Sequence, residues 1–108
     1  MSRVVLSRAA RQDRREITLH TVDRFGIQRT RRLRDQFEQA LNTLAESPFM
    51  GRTHTELDPA GHCFRYSVMM KSFIIVYEPT EDGIRVARLL HGARSLAVEL
   101  ERDAGDEN

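Results

Sequence analysis

Four apolar residues fix what the middle of this chain can become. Leu33, Phe37, Leu41 and Leu44 recur at i, i+4, i+8 and i+11, with Arg34, Asp35 and Glu38 on the other side. That period belongs to a helix with one buried stripe. Pro48 ends it, because the residue before a proline is pushed out of helical geometry. A stripe of this width has to be covered by another layer.

The flanking segments supply that layer. Upstream, Val4-Val5-Leu6 is a short β-prone run, and Ser7 is placed to cap a first helix in which Ala10, Ile17 and Phe25 share a face, with Gly26 as its stop. Downstream, Phe64, Tyr66 and Val68 alternate with Arg65 and Ser67, as in a strand with one buried face. Phe73 to Tyr77 is apolar throughout, which suits a central strand covered on both sides. Pro79 closes it, Asp82-Gly83 makes a turn able to take positive φ, and Ile84 to Leu90 returns as the next strand. The order β-α-α-β-β-β predicts an α+β domain, a helical hairpin packed on one face of a mostly antiparallel sheet.

With 108 residues the chain has room for one core, expected over residues 1–98, followed by an acidic, frayed tail over 99–108. No apolar run reaches the roughly 20 residues of a membrane helix, and no secretory leader is visible, so a cytoplasmic protein is expected. The lone Cys63 cannot form an internal disulfide and reads as a half-buried structural residue at a strand end.

The net charge of +1 conceals a division. Residues 1–34 hold ten arginines against three acids, whereas residues 35–108 hold seven Lys and Arg against thirteen acids. Such a division fits either an acidic partner or two solvated helical faces laced by pairs such as Arg31 with Asp35 and Arg34 with Glu38. Aromatic residues do not interleave the arginines, so direct nucleic-acid binding is not expected. Nor is chemistry evident. His20, His54, His62, His91 and Cys63 lack the short paired spacings of a zinc site, no glycine-rich phosphate loop occurs, and no serine sits in a nucleophile elbow. No metal or cofactor is expected.

The order of elements from Ser47 to Arg94 carries more. It runs Ser47-Pro48-Phe49-Met50-Gly51-Arg52, Glu56-Leu57, Arg65-Tyr66-Ser67-Val68, Phe73-Ile74-Ile75-Val76-Tyr77 and Ile84 to Leu90-His91-Gly92-Ala93-Arg94. This series resembles the ParE/RelE superfamily of bacterial toxins, and its P-x-x-G-R loop and L-L-H-G-A-R ending look most like the ParE branch. The resemblance implies a toxin of a type II toxin-antitoxin system that inhibits DNA gyrase by trapping it on cleaved DNA, and that is neutralised by a ParD-like antitoxin. RelE-like relatives are instead ribosome-dependent mRNA endonucleases with a basic cluster and a C-terminal tyrosine. Their central basic residue falls here at Ile74 and their tyrosine near Leu100, which leaves Arg94 and no proton acceptor. The resemblance therefore implies a binder rather than an enzyme.

Three readings stand on these grounds: the gyrase inhibitor; a message endonuclease in which Arg52, Arg65, Arg88, His91 and Arg94 replace the usual cluster; and a toxin-fold interaction domain without its target. Ser95 stands where family members commonly carry an acid. The first is preferred. It makes Arg88, His91, Arg94, Arg52 and Arg65 candidates for target contact, with Arg88 and Arg94 taken as exposed. Arg11, Arg14, Leu33 and Phe37 are candidates for holding an acidic antitoxin segment. Gly51 and Gly92 are read as turn residues only.

Overall fold

The computed structural model describes residues 3–91. In chain order they form β1 (Arg3–Leu6), α1 (Arg8–Phe25), α2 (Ile27–Glu46), β2 (Arg52–Thr53), a single 3-10 turn (Thr55–Leu57), β3 (Arg65–Met69), β4 (Phe73–Pro79) and β5 (Gly83–His91). The sheet order is β1-β5-β4-β3-β2, with β1 parallel to β5 and every other pairing antiparallel. The expected β-α-α-β-β-β order holds. The one added strand, β2, is only two residues long, too short for any alternation to show.

The hairpin begins where the sequence placed it. Ser7 Oγ accepts from the Ala10 N–H at 3.0 Å and donates to the Ala87 carbonyl at 2.7 Å, so the cap also pins the start of α1 to β5. Gly26, at φ 87°, closes α1 through its N–H to Val22 O and opens α2 with no intervening loop. Leu33, Phe37, Leu41 and Leu44 are all buried and pack with Phe73, Ile75, Tyr77, Ile84, Val86 and Leu89 of the sheet. Ala10 and Ile17 join them.

Phe25 does not; it is 55% exposed at the hairpin tip, with Arg29 lying 4.9 Å over its ring. The inward face of α1 is instead continued by Thr21, whose hydroxyl donates to Ile17 O at 2.7 Å. The anticipated Arg31–Asp35 and Arg34–Glu38 pairs do not close to salt-bridge distance among the described residues.

The opposite face of the sheet has a smaller core of Phe64, Tyr66, Val76, Ala87 and Leu90, with Leu57 and Ile74 against it. β3 therefore buries side chains on both faces: Tyr66 enters this core, Met69 enters the helix-side core, and Val68 is exposed. β4 is covered on both faces as its apolar run required. Cys63 lies exposed in the loop before β3 rather than half-buried at a strand end.

Gly83 is needed for a reason other than positive φ. A Cβ there would collide with the backbone of Arg3, its partner in the parallel β1–β5 pairing.

Candidate protein-binding surfaces

The candidate site residues divide between the hairpin and the sheet, and the two sets are held very differently. Arg11 and Arg14 are exposed on α1. Arg14, Arg34 and Glu38 edge a shallow groove between the helices, floored by Ile17, Leu33 and Phe37. Leu33 and Phe37 retain only 8% and 4% exposure. They hold the core, and a partner would meet just their edges. Towards the hairpin tip, Leu19, Val22, Phe25 and Ile27 are exposed beside Arg24, Arg29, Arg31 and Arg32.

Arg88 corrects the expectation of a surface cation. It is 9% exposed beside a bulge that leaves Ala87 without a partner in the β4–β5 register. Its Nε donates to Asp13 Oδ2 at 2.7 Å and its Nη2 to Asp13 Oδ1 at 2.9 Å, a two-pronged pair, and the Leu89 N–H donates to the same Oδ2 at 3.0 Å. The planar guanidinium suits this geometry and ties α1 to β5. The sequence carried a signal for it: Asp13 falls three residues after Ala10 and four before Ile17, on the inward face, where an acid has to find a partner.

Arg65 is likewise engaged. Its Nη1 donates to the carbonyls of Gly51 at 2.7 Å and Phe49 at 3.1 Å, and its guanidinium lies 5.0 Å over the Phe49 ring. Tyr77 holds the same loop from β4, accepting from the Gly51 N–H and donating to the Pro48 carbonyl, both at 2.8 Å. Burial pushes the Tyr77 hydroxyl above its ordinary ionisation range, against the opposing pull of the Gly51 N–H and Arg65. Gly51 is thus a close-approach residue rather than a turn residue, since a Cβ would lie 2.5 Å from the Tyr77 hydroxyl. Tyr77 gave no hint of this role in the sequence beyond ending an apolar strand with a polar tip.

On the other face, Tyr66 donates to Asp58 Oδ1 at 2.7 Å, and His54 sits edge-on to its ring. Burial, then the bond to Asp58, raise the ionisation of Tyr66. Arg52 is exposed on β2. His91 is exposed and stacks on Phe73 at 4.5 Å.

Arg65 pairs with Tyr77 while His91 pairs with Phe73. Four residues of β4 separate the two positions, about 13 Å at strand rise. They cannot converge on one phosphate. Gly92, Arg94, Ser95, Leu100 and the acidic tail lie outside the described residues. No three His, Cys, Asp or Glu among the described residues could share a metal ion, and no described helix is long and apolar enough to cross a membrane.

Comparison with known proteins agrees with this architecture. A family model described as the ParE toxin of the type II toxin-antitoxin system, parDE, matches residues 4–96. None of the curated proteins matches by sequence. Among solved structures, a chain of the chromosomal ParDE toxin-antitoxin system from P. aeruginosa superposes with a TM-score of 0.68 at 17% identity, over 86% of this chain and 98% of that one. At that identity the likeness speaks for the fold, whereas the family match extends from β1 through all five strands and beyond. The chain belongs to the ParE toxins of type II toxin-antitoxin systems.

Proposed function

We propose that this ParE toxin acts by binding DNA gyrase and trapping it on cleaved DNA, without chemistry by its own side chains. It is neutralised by a ParD-like antitoxin, whose acidic amphipathic segment covers the hairpin groove. The observation that carries the reading, beside the family, is the dispersal of the residues a nuclease would have to gather. In-line attack on a phosphodiester needs cations aimed at the developing charge and a proton acceptor beside the nucleophile. Here Arg65 holds loop carbonyls, Arg88 is buried against Asp13, and His91 stands at the far end of β4 from Arg65. Ile74, at the position where RelE-like nucleases carry a cation, packs against the second core.

The antitoxin half rests on the groove and its rim. An acidic helix meets Arg14 and Arg34 at the edge, with Arg11 further along α1, and lays apolar side chains over Ile17 and the edges of Leu33 and Phe37. A gyrase target places the working protein in the cytoplasm. The deciding assay incubates purified toxin with gyrase and supercoiled plasmid, then denatures the enzyme. Linear DNA is the expected product. Cleavage of message on translating ribosomes, with plasmid left intact, would replace this reading with the nuclease; inertness in both assays and in induced cells would leave only a toxin-fold binding domain.

A further inference from the structure

The solvent side of α1 carries a row of side chains that the rest of the chain does not use. Ala10, Asp13, Ile17 and Thr21 form the inward face of this helix. Each helical residue is turned about 100° from the last, so a residue two places from an inward one lies about 160° around from it. Leu19 stands two places from both Ile17 and Thr21, and Arg15 two places from both Asp13 and Ile17. Asp23 follows Thr21 by the same step. Arg15, Leu19 and Asp23 therefore make one i, i+4, i+8 row that points away from the sheet, its members about 6 Å apart along the axis. All three are exposed, Leu19 to 64%, and Val22 beside Leu19 is 39% exposed.

The two charges of the row are not answered within the helix. Side chains three and four residues apart face each other, and those around Arg15 are Arg11, Gln12, Thr18 and Leu19. Around Asp23 they are Leu19, His20, Gly26 and Ile27. Arg15 and Asp23 lie about 12 Å apart along the axis, too far to pair with each other. Neither they nor His20 form a salt bridge among the described residues. The flanking charges are engaged already: Glu16 accepts from Gln12 Nε2 at 2.9 Å, and Arg11 Nη1 donates to the Leu6 carbonyl at 3.2 Å.

The order of signs identifies the partner. From its N-terminal end the row reads positive, apolar, negative, so its reverse reads negative, apolar, positive. A row that complements its own reverse fits a second copy laid antiparallel. Rows at i±4 spacing are also the ridges that interdigitate in the commonest class of helix packing. We propose that this protein self-associates through α1, with Leu19 and Val22 of two copies at the centre and Arg15 of each copy against Asp23 of the other. A two-fold axis makes the contact isologous, so it closes at a dimer. DNA or an acidic peptide fits this face less well, because Asp23 and Glu16 both stand on it. The hairpin groove lies on the α2 side, where Arg14 and Thr18 line it, so the dimer leaves it open. One helical face is smaller than a standard interface, and the dimer is therefore weak and separates on dilution. Nothing in this contact depends on the gyrase reading.

The test is sedimentation equilibrium of the full chain over a range of concentrations, under reducing conditions so that the exposed Cys63 does not join copies. It compares wild type with Leu19→Gln, Arg15→Asp, Asp23→Arg and the double exchange of Arg15→Asp with Asp23→Arg. All these positions are exposed, so thermal melting should stay close to wild type in every variant. Wild type is expected to pass from monomer to dimer with rising concentration and to form nothing larger. Leu19→Gln and each single exchange should weaken the dimer at least about tenfold, the exchanges because like charges then meet at two places. The double exchange restores both pairs in the opposite sense and should return affinity to within about threefold of wild type. A wild-type chain that stays monomeric at the highest concentration, or a dimer indifferent to Leu19→Gln, would overturn this contact. Growth beyond a dimer would refute the two-fold arrangement. A double exchange no tighter than the single ones would refute the pairing of Arg15 with Asp23. A monomeric wild type whose capture of purified gyrase falls in folded Leu19→Gln would assign the row to the target instead.

Discussion

The arginines of the helices and those of the sheet come from one residue type and do opposite work. On α1 and α2, Arg14, Arg31, Arg32 and Arg34 are exposed and form no salt bridge among the described residues. In the strands, Arg65 binds loop carbonyls, Arg85 lies 3.5 Å from Glu78 and Arg88 grips Asp13. The difference follows from where the backbone puts each stem. A helix outside the core can swing a long side chain into water, whereas neighbours on both sides of a strand confine it to the groups they present. Arg65 and Arg88 are therefore structural, whereas Arg14 and Arg34 are available to a partner; the exposed Arg52 on the two-residue β2 and Arg11, whose Nη1 donates to the Leu6 carbonyl at 3.2 Å, fall outside the contrast.

Breaking the most confined arginine should have the largest effect. Arg88→Ala leaves the buried Asp13 carboxylate without its guanidinium, and removing one partner of a buried pair costs about 3–5 kcal/mol. For a domain of this size each kcal/mol lowers the melting temperature by roughly 4–8 °C, so the variant should be largely unfolded at growth temperature. Asp13→Leu combined with Arg88→Met should recover much of the loss, because the desolvation of two charges disappears with them. If Arg88→Ala melts like wild type, the strand arginine is as dispensable as a helical one and the comparison fails.

That pair also marks how far the sequence could be read. The helical stripe, the Ser7 cap, the Gly26 stop and the doubly covered β4 were legible because each depends on local geometry or on a period of a few residues. Asp13 with Arg88, and Tyr77 with Gly51, join residues 75 and 26 positions apart. No local pattern encodes such a meeting. Arg88 passed for a surface cation because a buried arginine and an exposed one look alike until the acid opposite is located. Phe25 passed for a core residue because it was spaced like one, although it is the last residue of α1 and stands exposed at the hairpin tip. The antitoxin candidates were legible as a face, yet Leu33 and Phe37 serve the core first.

Tyr77→Phe sharpens the comparison within the sheet. It removes the acceptor for the buried Gly51 N–H and the donor to Pro48, while Arg65 keeps its two carbonyls. An unpaired buried group costs about 1–3 kcal/mol, to be read from the midpoint of chemical denaturation. A change below about 0.5 kcal/mol would show that Arg65 alone suffices to hold the loop.

A smaller effect appears on raising pH. Tyr66 and Tyr77 both ionise later in the folded chain than at the usual value of 10.0. The unfolded chain therefore loses those protons first. Their contribution is complete below about pH 10 and is lost as pH rises through the folded values. Denaturation midpoints should be unaffected by these groups from pH 7 to 9 and fall above 10. The fall should be shallower in Tyr77→Phe, and an equal slope in that variant would exclude Tyr77 as a contributor.

The least stabilising arginines should matter most to a partner. Arg14→Glu with Arg34→Glu alters two exposed groups that form no salt bridge among the described residues, so stability should move by no more than about 0.5 kcal/mol. Association with an acidic antitoxin should nevertheless slow markedly, because like charge now meets like charge at the rim of the groove. Most of that slowing should vanish in high salt, where screening reaches only about 3 Å at 1 M, and dissociation should change less than association, since the groove floor of Ile17, Leu33 and Phe37 is untouched. Stopped-flow association at low and high salt, for wild type and variant, separates the two contributions. If the difference persists undiminished at 1 M salt, the arginines act by direct buried contact, and the contrast between free helical cations and engaged strand cations no longer holds at this surface.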